Sequence, residues 1–198
     1  MEGNQHSSIL SPFIEKCLRA AAIDRSGLDA VCVSSGPGSY TGLRVGASTA
    51  KGLCFALRIP LIAVDTLEAA ALRASEIHTA DRIVPMIDAR RMEVYCATFD
   101  GEGIRLSQNE ALILEEGIFD PLLEDNRQII ICGNGTEKAK TLFNQHNIVC
   151  DTAIDHSALY LVKPAQRAYL ENEFADIYQF VPAYLKPPNI TKPKKSMF

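Results

Sequence analysis

Ser34-Ser35-Gly36-Pro37-Gly38-Ser39-Tyr40-Thr41-Gly42-Leu43-Arg44 is the stretch on which the fold turns. The apolar run Ala30-Val31-Cys32-Val33 leads into it, and an amphipathic helical pattern, Leu43 to Leu57, leads out. A buried strand ends here, the chain turns on glycine and proline, and a helix begins. Such a junction brings free backbone N–H groups to the positive end of a helix dipole, which suits an anion or the backbone of another subunit. Gly36, Pro37, Gly38, Ser39, Tyr40, Thr41, Gly42 and Arg44 are the candidate contacts. The plainer reading is a tight turn alone, because glycine tolerates positive φ and proline presets φ. The P-loop and Gly-x-Gly-x-x-Gly routes to nucleotide binding are disfavoured, since the helix opens with Thr41-Gly42-Leu43-Arg44 and carries neither pattern.

Upstream, Ile9, Leu10, Phe13, Ile14, Cys17, Leu18 and Ala21 recur at helical spacing and predict a helix from Ser8 to Ala22 with one broad apolar face. Pro12 starts that helix late or kinks it. Downstream, Gly42, Gly46 and Ala50 stand four apart in the second helix. Glycine inside a helix costs about 1 kcal/mol relative to alanine, so the stripe implies close packing, within this chain or against a second subunit. Pro60 leads into a strand, Leu61 to Val64. Asp65 or Thr66 then caps a helix from Leu67 to Ala74, the parts of a right-handed crossover. Ile83–Asp88, Val94–Phe99 and a shorter run near Ile104 predict an antiparallel meander. A helix near Glu115–Glu124, a buried strand Gln128–Cys132, a Gly133-Asn134-Gly135 turn, a helix Thr136–Gln145 and a long helix Ser157–Glu171 complete the expectation. The division expected is a partial first lobe over 1–80, a second lobe over 81–186, and a mobile Pro- and Lys-rich tail over 187–198.

Asp88, Arg90, Arg91, Glu93 and Tyr95 form the densest polar group. They straddle a turn between two strands, where Glu93 and Tyr95 share a face and Asp88 has the reach to hold an arginine. A binding cluster and a solvated salt-bridge cluster both fit. The histidines, at 6, 78, 146 and 156, are isolated, and no Gly-x-Ser-x-Gly, His-Glu-x-x-His or paired Asp-x-Asp occurs. No catalytic residue and no metal ligand set is therefore assigned. Six cysteines, at 17, 32, 54, 96, 132 and 150, form no Cys-x-x-Cys pair and read as reduced core thiols of a cytoplasmic protein. No run reaches the roughly 18 apolar residues of a membrane span. A net charge of -4 argues against this chain gripping a nucleic-acid backbone by itself, so any RNA is met mainly through a partner. Lys192, Lys194 and Lys195 could touch RNA, but a solvated tail explains them as well.

The motifs also carry a resemblance. Gly36-Pro37-Gly38-Ser39-Tyr40-Thr41-Gly42-Leu43-Arg44-Val45-Gly46 with Ala50-Lys51-Gly52-Leu53 is similar to the signature of the TsaB (YeaZ) family. Ile59–Val64, Thr66–Ala69, Asp88-Ala89-Arg90-Arg91-Met92-Glu93-Val94-Tyr95, Gly133-Asn134-Gly135 and Pro182-Ala183-Tyr184-Leu185 extend it. The resemblance implies an α/β, two-lobed actin/Hsp70-like (ribonuclease H-like) fold. It implies a scaffold subunit without catalysis, in the machinery that makes threonylcarbamoyladenosine in tRNA. The implied partners are a TsaD-type catalytic subunit and a TsaE-type ATPase, with a homodimer as the alternative and tRNA met through the complex. No cofactor is expected on this chain; ATP and metal belong to the partner subunits. The family pairs through its first two helices, which carries onto Ile9, Phe13, Ile14, Cys17, Gly46, Ala50 and Leu53. Asp88 to Tyr95 falls near the interlobe cleft. Competing classes are a glycopeptidase-like metallopeptidase and an actin-like ATPase; the first needs a nucleophile, base or metal set that cannot be assembled here.

One departure stands out. The family's opening strands, including an Ile-Asp-Thr-Ser-type turn, have no counterpart here, and the chain starts at a segment resembling the run before the family's first helix. The first lobe is expected to be truncated, with Ala30–Val33 at an unpaired apolar edge. A misplaced start or a fragment is favoured over strands lent by a partner. If the chain stands as written, poor solubility or obligate association is expected.

Overall fold

The structure is a computed structural model that describes residues 6–123, 126–143 and 147–186, with side chains from residue 9 onward. Helix α1 (His6–Ala20) contains Pro12 within its span. Strand β1 (Val31–Gly36) pairs in parallel with β2 (Leu61–Asp65), Val31 opposite Leu61 and Gly36 opposite Asp65, with a register shift between Ser34 and Gly36. Between them runs α2 (Tyr40–Leu57), whose buried residues Leu43, Ala47, Ala50 and Cys54 recur every three or four positions and lie on the sheet. Ser39 caps this helix, its Oγ accepting from the Gly42 N–H at 3.4 Å. α3 (Thr66–Ile77) follows β2 without a linker because Asp65 both ends the strand and caps the helix. Its carboxylate accepts from the N–H groups of Leu67 at 2.8 Å and Glu68 at 3.0 Å.

A second, mixed sheet is ordered β6-β4-β3-β7-β8, with β5 also on β3. Its strands are β3 (Arg82–Asp88), β4 (Glu93–Cys96), β5 (Phe99–Asp100), β6 (Glu110–Ile113), β7 (Ile129–Cys132) and β8 (Ile148–Asp151). β3 is central: β4 and β5 run antiparallel to it and β7 parallel. Covered on both faces, β3 from Ile83 to Ile87 and the whole of β7 read as apolar runs. Alternation sends Ile83 and Ile87 toward α3, where they pack with Leu67, Ala70, Ala71 and Ala74. Val84 and Met86 face the other way, into a core with Ile129, Ile131, Phe119 and Phe143. The short α4 (Thr136–Ala139) and α5 (Val162–Leu170) complete the elements.

Several expectations are corrected. Residues 158–183, assigned to the second lobe, return to the first sheet: Ala168 packs on Ile62 and Val64, and Ala175, Ile177 and Phe180 pack around Leu61. Of the helix expected near Glu115–Glu124, the described residues 115–123 are not α-helical, because Gly117 is left-handed (φ 79) and Pro121 follows; among them a 3-10 turn, Asp120–Leu122, forms. The helix from Ser157 begins as a 3-10 turn, Ala158–Leu161, and becomes α only at Val162, with Pro164 held in the first turn where its missing N–H leaves no gap. The run expected near Ile104 pairs back on β5 without a regular strand, the Asp100 N–H donating to the Ile104 carbonyl at 2.9 Å and Arg105 bridging Phe99, and the antiparallel order continues with β6 on β4. β6 and β8 have no forecast, since Glu110-Ala111-Leu112-Ile113 carries no strand alternation. α4 is regular only to Ala139; the far end of the expected helix, the tail from 187, and His146 lie outside the described residues. Cys17 is exposed, so it is not a core thiol, whereas Cys54, Cys96 and Cys132 are buried and all six are free. Burial pushes the Cys96 and Cys132 thiols up to about 12. Among the described residues no helix is long and apolar enough to cross a membrane.

Candidate functional site

The glycine turn is held by the far end of the chain. The Ala183 N–H donates to the Ser35 carbonyl at 2.7 Å. Gly36 has φ +102, and a Cβ there would stand 2.8 Å from the Ala183 carbonyl oxygen. Only glycine satisfies both the backbone angle and the approach. Lys51 Nζ reaches the Phe180 carbonyl at 3.0 Å, and the Tyr184 ring stacks on Tyr40 with centroids 4.7 Å apart. Arg44 lies over the same Tyr40 ring, 4.3 Å from its centroid. Residues 175–186 are thus a strap over the first sheet, and the weak Pro182-Ala183-Tyr184-Leu185 landmark is its contact with the turn.

Facing the turn is the polar cluster at the end of β3. Ala89 N–H donates to the Glu93 carbonyl at 3.0 Å and Glu93 N–H to the Arg90 carbonyl at 3.2 Å, closing the turn into β4. Arg90 and Arg91 occupy its left-handed positions, φ 71 and 51, and stand exposed. Asp88 does not hold an arginine side chain, as the sequence suggested. Its Oδ1 accepts from the Arg90 backbone N–H at 2.6 Å and from Lys138 Nζ at 2.5 Å. Partial burial pushes its carboxyl up, but Lys138 and the Arg90 N–H outweigh that and hold it below the ordinary carboxylate range. Glu93 pairs with Lys186 of the strap. Lys138 and Lys186 escaped the sequence reading because each lies more than forty residues from its partner.

Between turn and cluster lies a cleft of about 910 Å³, lined by Pro37–Thr41, Ile87–Arg91, Glu93, Tyr95 and Tyr184. A narrower cavity of about 350 Å³ adjoins it, where Ser34 Oγ meets Thr66 Oγ1 at 2.5 Å beside Asn134 and His156. Burial holds His156 below its ordinary pKa. The Asp155 carboxylate and Met86 carbonyl pull the other way, without a hydrogen bond of normal geometry to either ring nitrogen. Among the described residues no group of three or more Asp, Glu, His or Cys could hold a metal ion.

Of the small-residue stripe of α2, Gly46 and Ala50 face the sheet, while Gly42 is exposed and a Cβ on it would meet only the capping Ser39. A Cβ on Gly46 would stand 3.6 Å from Val33 Cγ2, and Ala50 is 4% exposed beneath the same sheet. Ala50 therefore does not lie at a subunit surface; the helix's own sheet needs it small. The outer sides of α1 and α2 are different. Ile9 is 38% exposed, Phe13 55% and Phe55 65%, with Cys17 exposed and Ile14 and Leu53 half-buried.

Two sheets joined over a cleft, with α2 and α3 on the strand-to-helix turns, define an α/β protein with the actin/Hsp70-like fold. YeaZ from Pseudomonas aeruginosa superposes with a TM-score of 0.75 at 26% identity, covering 91% of this chain and 85% of that one. A family model described as TsaD, tRNA N6-adenosine threonylcarbamoyltransferase, matches residues 2–186. The tRNA threonylcarbamoyladenosine biosynthesis protein TsaB of Haemophilus influenzae is 32% identical over 191 residues, 91% of this chain and 80% of that protein. The Bacillus subtilis protein of the same name is 32% identical over 188 residues, with the same coverage. The chain belongs to the TsaB (YeaZ) family.

Proposed function

We propose that this chain is a TsaB-type subunit of the machinery that makes threonylcarbamoyladenosine in tRNA, and that it works by binding a TsaD-type catalytic subunit rather than by catalysis of its own. The observation that carries this reading is the split character of the first two helices. α2 spends its regular apolar face, Leu43 to Cys54, on its own sheet, yet Phe55 on α2 and Ile9 and Phe13 on α1 remain in solvent. Burying a phenylalanine side chain contributes about 1.5–3 kcal/mol, so leaving two exposed on adjoining helices favours a protein partner. Ile14, Cys17 and Leu53 complete the proposed pairing face, with Gly46 permitting close approach from within. ATP and metal are assigned to the partner subunits, and a TsaE-type ATPase and tRNA join through the complex. Cytoplasmic location follows from that role.

The test is reconstitution. Purified TsaD- and TsaE-type proteins of the same organism are given tRNA and the remaining components, with and without this chain. Modified adenosine appearing only with the chain supports the reading. Equal yield without it, or release of peptide fragments by the chain alone, overturns it.

A further inference from the structure

We infer that the mouth of the larger cleft is a contact for an RNA strand, phosphate at Arg90 and Arg91 and a base on the Tyr40–Tyr184 ring pair. The inference rests on the tRNA-modification reading above and adds a contact made by this chain itself. The overall charge of -4 conceals the local balance. In the cleft, Asp88 is matched by Lys138 and Glu93 by Lys186. Both carboxylates are spent. Arg90 and Arg91 remain: they line the cleft, stand exposed, and their guanidinium groups make no ion pair or hydrogen bond with the described residues. Arg90 still feels the Asp88 carboxylate through space, but neither guanidinium is tied down by an ion pair or hydrogen bond with the described residues. Two such groups on one tight turn are a fork for phosphate oxygens, which arginine binds through several N–H groups at once.

The opposite wall supplies the other half of the chemistry. Tyr40 and Tyr184 are stacked, and Tyr184 is 38% exposed, so one ring of the pair stays open to solvent. Arg44 over Tyr40 adds a third cation within reach of the same ring pair. Aromatic faces next to unmatched arginines are how proteins hold single-stranded nucleic acid without reading its sequence. A cleft of about 910 Å³ is open enough to admit a nucleotide's width of strand. An acidic protein segment would use the arginines but would leave the tyrosine pair idle, which is why RNA is favoured.

The experiment measures binding of fluorescein-labelled unmodified tRNA to the assembled complex of this chain with its TsaD-type partner, by anisotropy across a salt series. R90Q/R91Q is expected to weaken binding roughly tenfold or more and to lower the salt slope by roughly 1.5, as for the loss of two phosphate contacts. Y184A is expected to weaken binding roughly tenfold with the salt slope unchanged. R167Q together with K163Q removes the same charge from α5, away from the cleft, and is expected to change neither. If that control weakens binding as much as R90Q/R91Q, or if R90Q/R91Q binds like the wild type, the contact is refuted. Complex formation, followed in the same samples, separates the two readings. A wild-type complex that forms but binds no tRNA sinks the RNA contact alone, whereas no complex at all sinks the pairing on which it rests.

Discussion

Replacing Gly36 by alanine tests how the glycine turn is held. The new Cβ would lie 2.8 Å from the Ala183 carbonyl oxygen and 3.2 Å from Leu43 Cδ1. The first contact is with backbone, so the strap must move. Holding alanine at φ +102 costs about 1–2 kcal/mol. Displacing the strap forfeits the Ala183–Ser35 hydrogen bond, about 1 kcal/mol more. Together these predict a loss of about 2–3 kcal/mol, a large share of the roughly 5–15 kcal/mol that stabilises an ordinary domain. Urea unfolding of the wild type and variant, monitored by circular dichroism, measures the difference. Hydrogen exchange locates it, with the Ala183 amide expected to exchange faster while the amides of β7 keep their protection. A variant within about 0.5 kcal/mol of the wild type, the range of an ordinary surface change, would show that the strap does not brace the turn and refute the reasoning.

Further outcomes follow from other contacts. Asp65→Ala removes the cap of α3 and the partner of Arg105 and Asn109, and should cost about 2–3 kcal/mol by thermal or chemical denaturation. His156 has its folded pKa depressed by burial, so the unfolded chain takes up a proton first as pH falls. Stability should therefore be unaffected by this group well above pH 6.5 and decline below it, with a slope approaching about 1.4 kcal/mol per pH unit. His156→Phe should flatten that decline relative to the wild type in urea titrations run across pH 5–8; an unchanged pH dependence would show that His156 is not the group responsible. Phe55→Asp, at a position 65% exposed, should leave the unfolding free energy within about 0.5 kcal/mol of the wild type yet weaken binding of the TsaD-type partner.

The first sheet was legible because its signals are local. The apolar run into Gly-Pro-Gly, the helical spacing after it, and Asp65 before Leu67 each act within a few residues, and the elements fall within a few positions of expectation. What escaped was long-range. Nothing in Ala175–Lys186 announces a strap, because its partners Leu61, Lys51, Ser35 and Glu93 are far away in sequence. β6 and β8 exist because β4 and β7 offer them edges, not because their own residues alternate. Within the cleft, the sequence singled out Asp88, Arg90, Arg91 and Glu93, but not the two lysines that pair with the acids and leave both arginines without an ion pair among the described residues. The small-residue stripe was visible, and its purpose was not: periodicity shows that α2 packs closely on something, while only the fold shows that Val33 and Leu61 are what lies beneath.

Co-purification of this chain with the TsaD-type protein of the same organism, as wild type and as Phe13→Asp, tests the proposed role most directly. Phe13 is 55% exposed, so the change should not disturb folding, and a stable wild-type complex lost in the variant is the expected result. A wild type that elutes alone, or a Phe13→Asp variant that pairs as tightly as the wild type, would contradict pairing through the open faces of the first two helices.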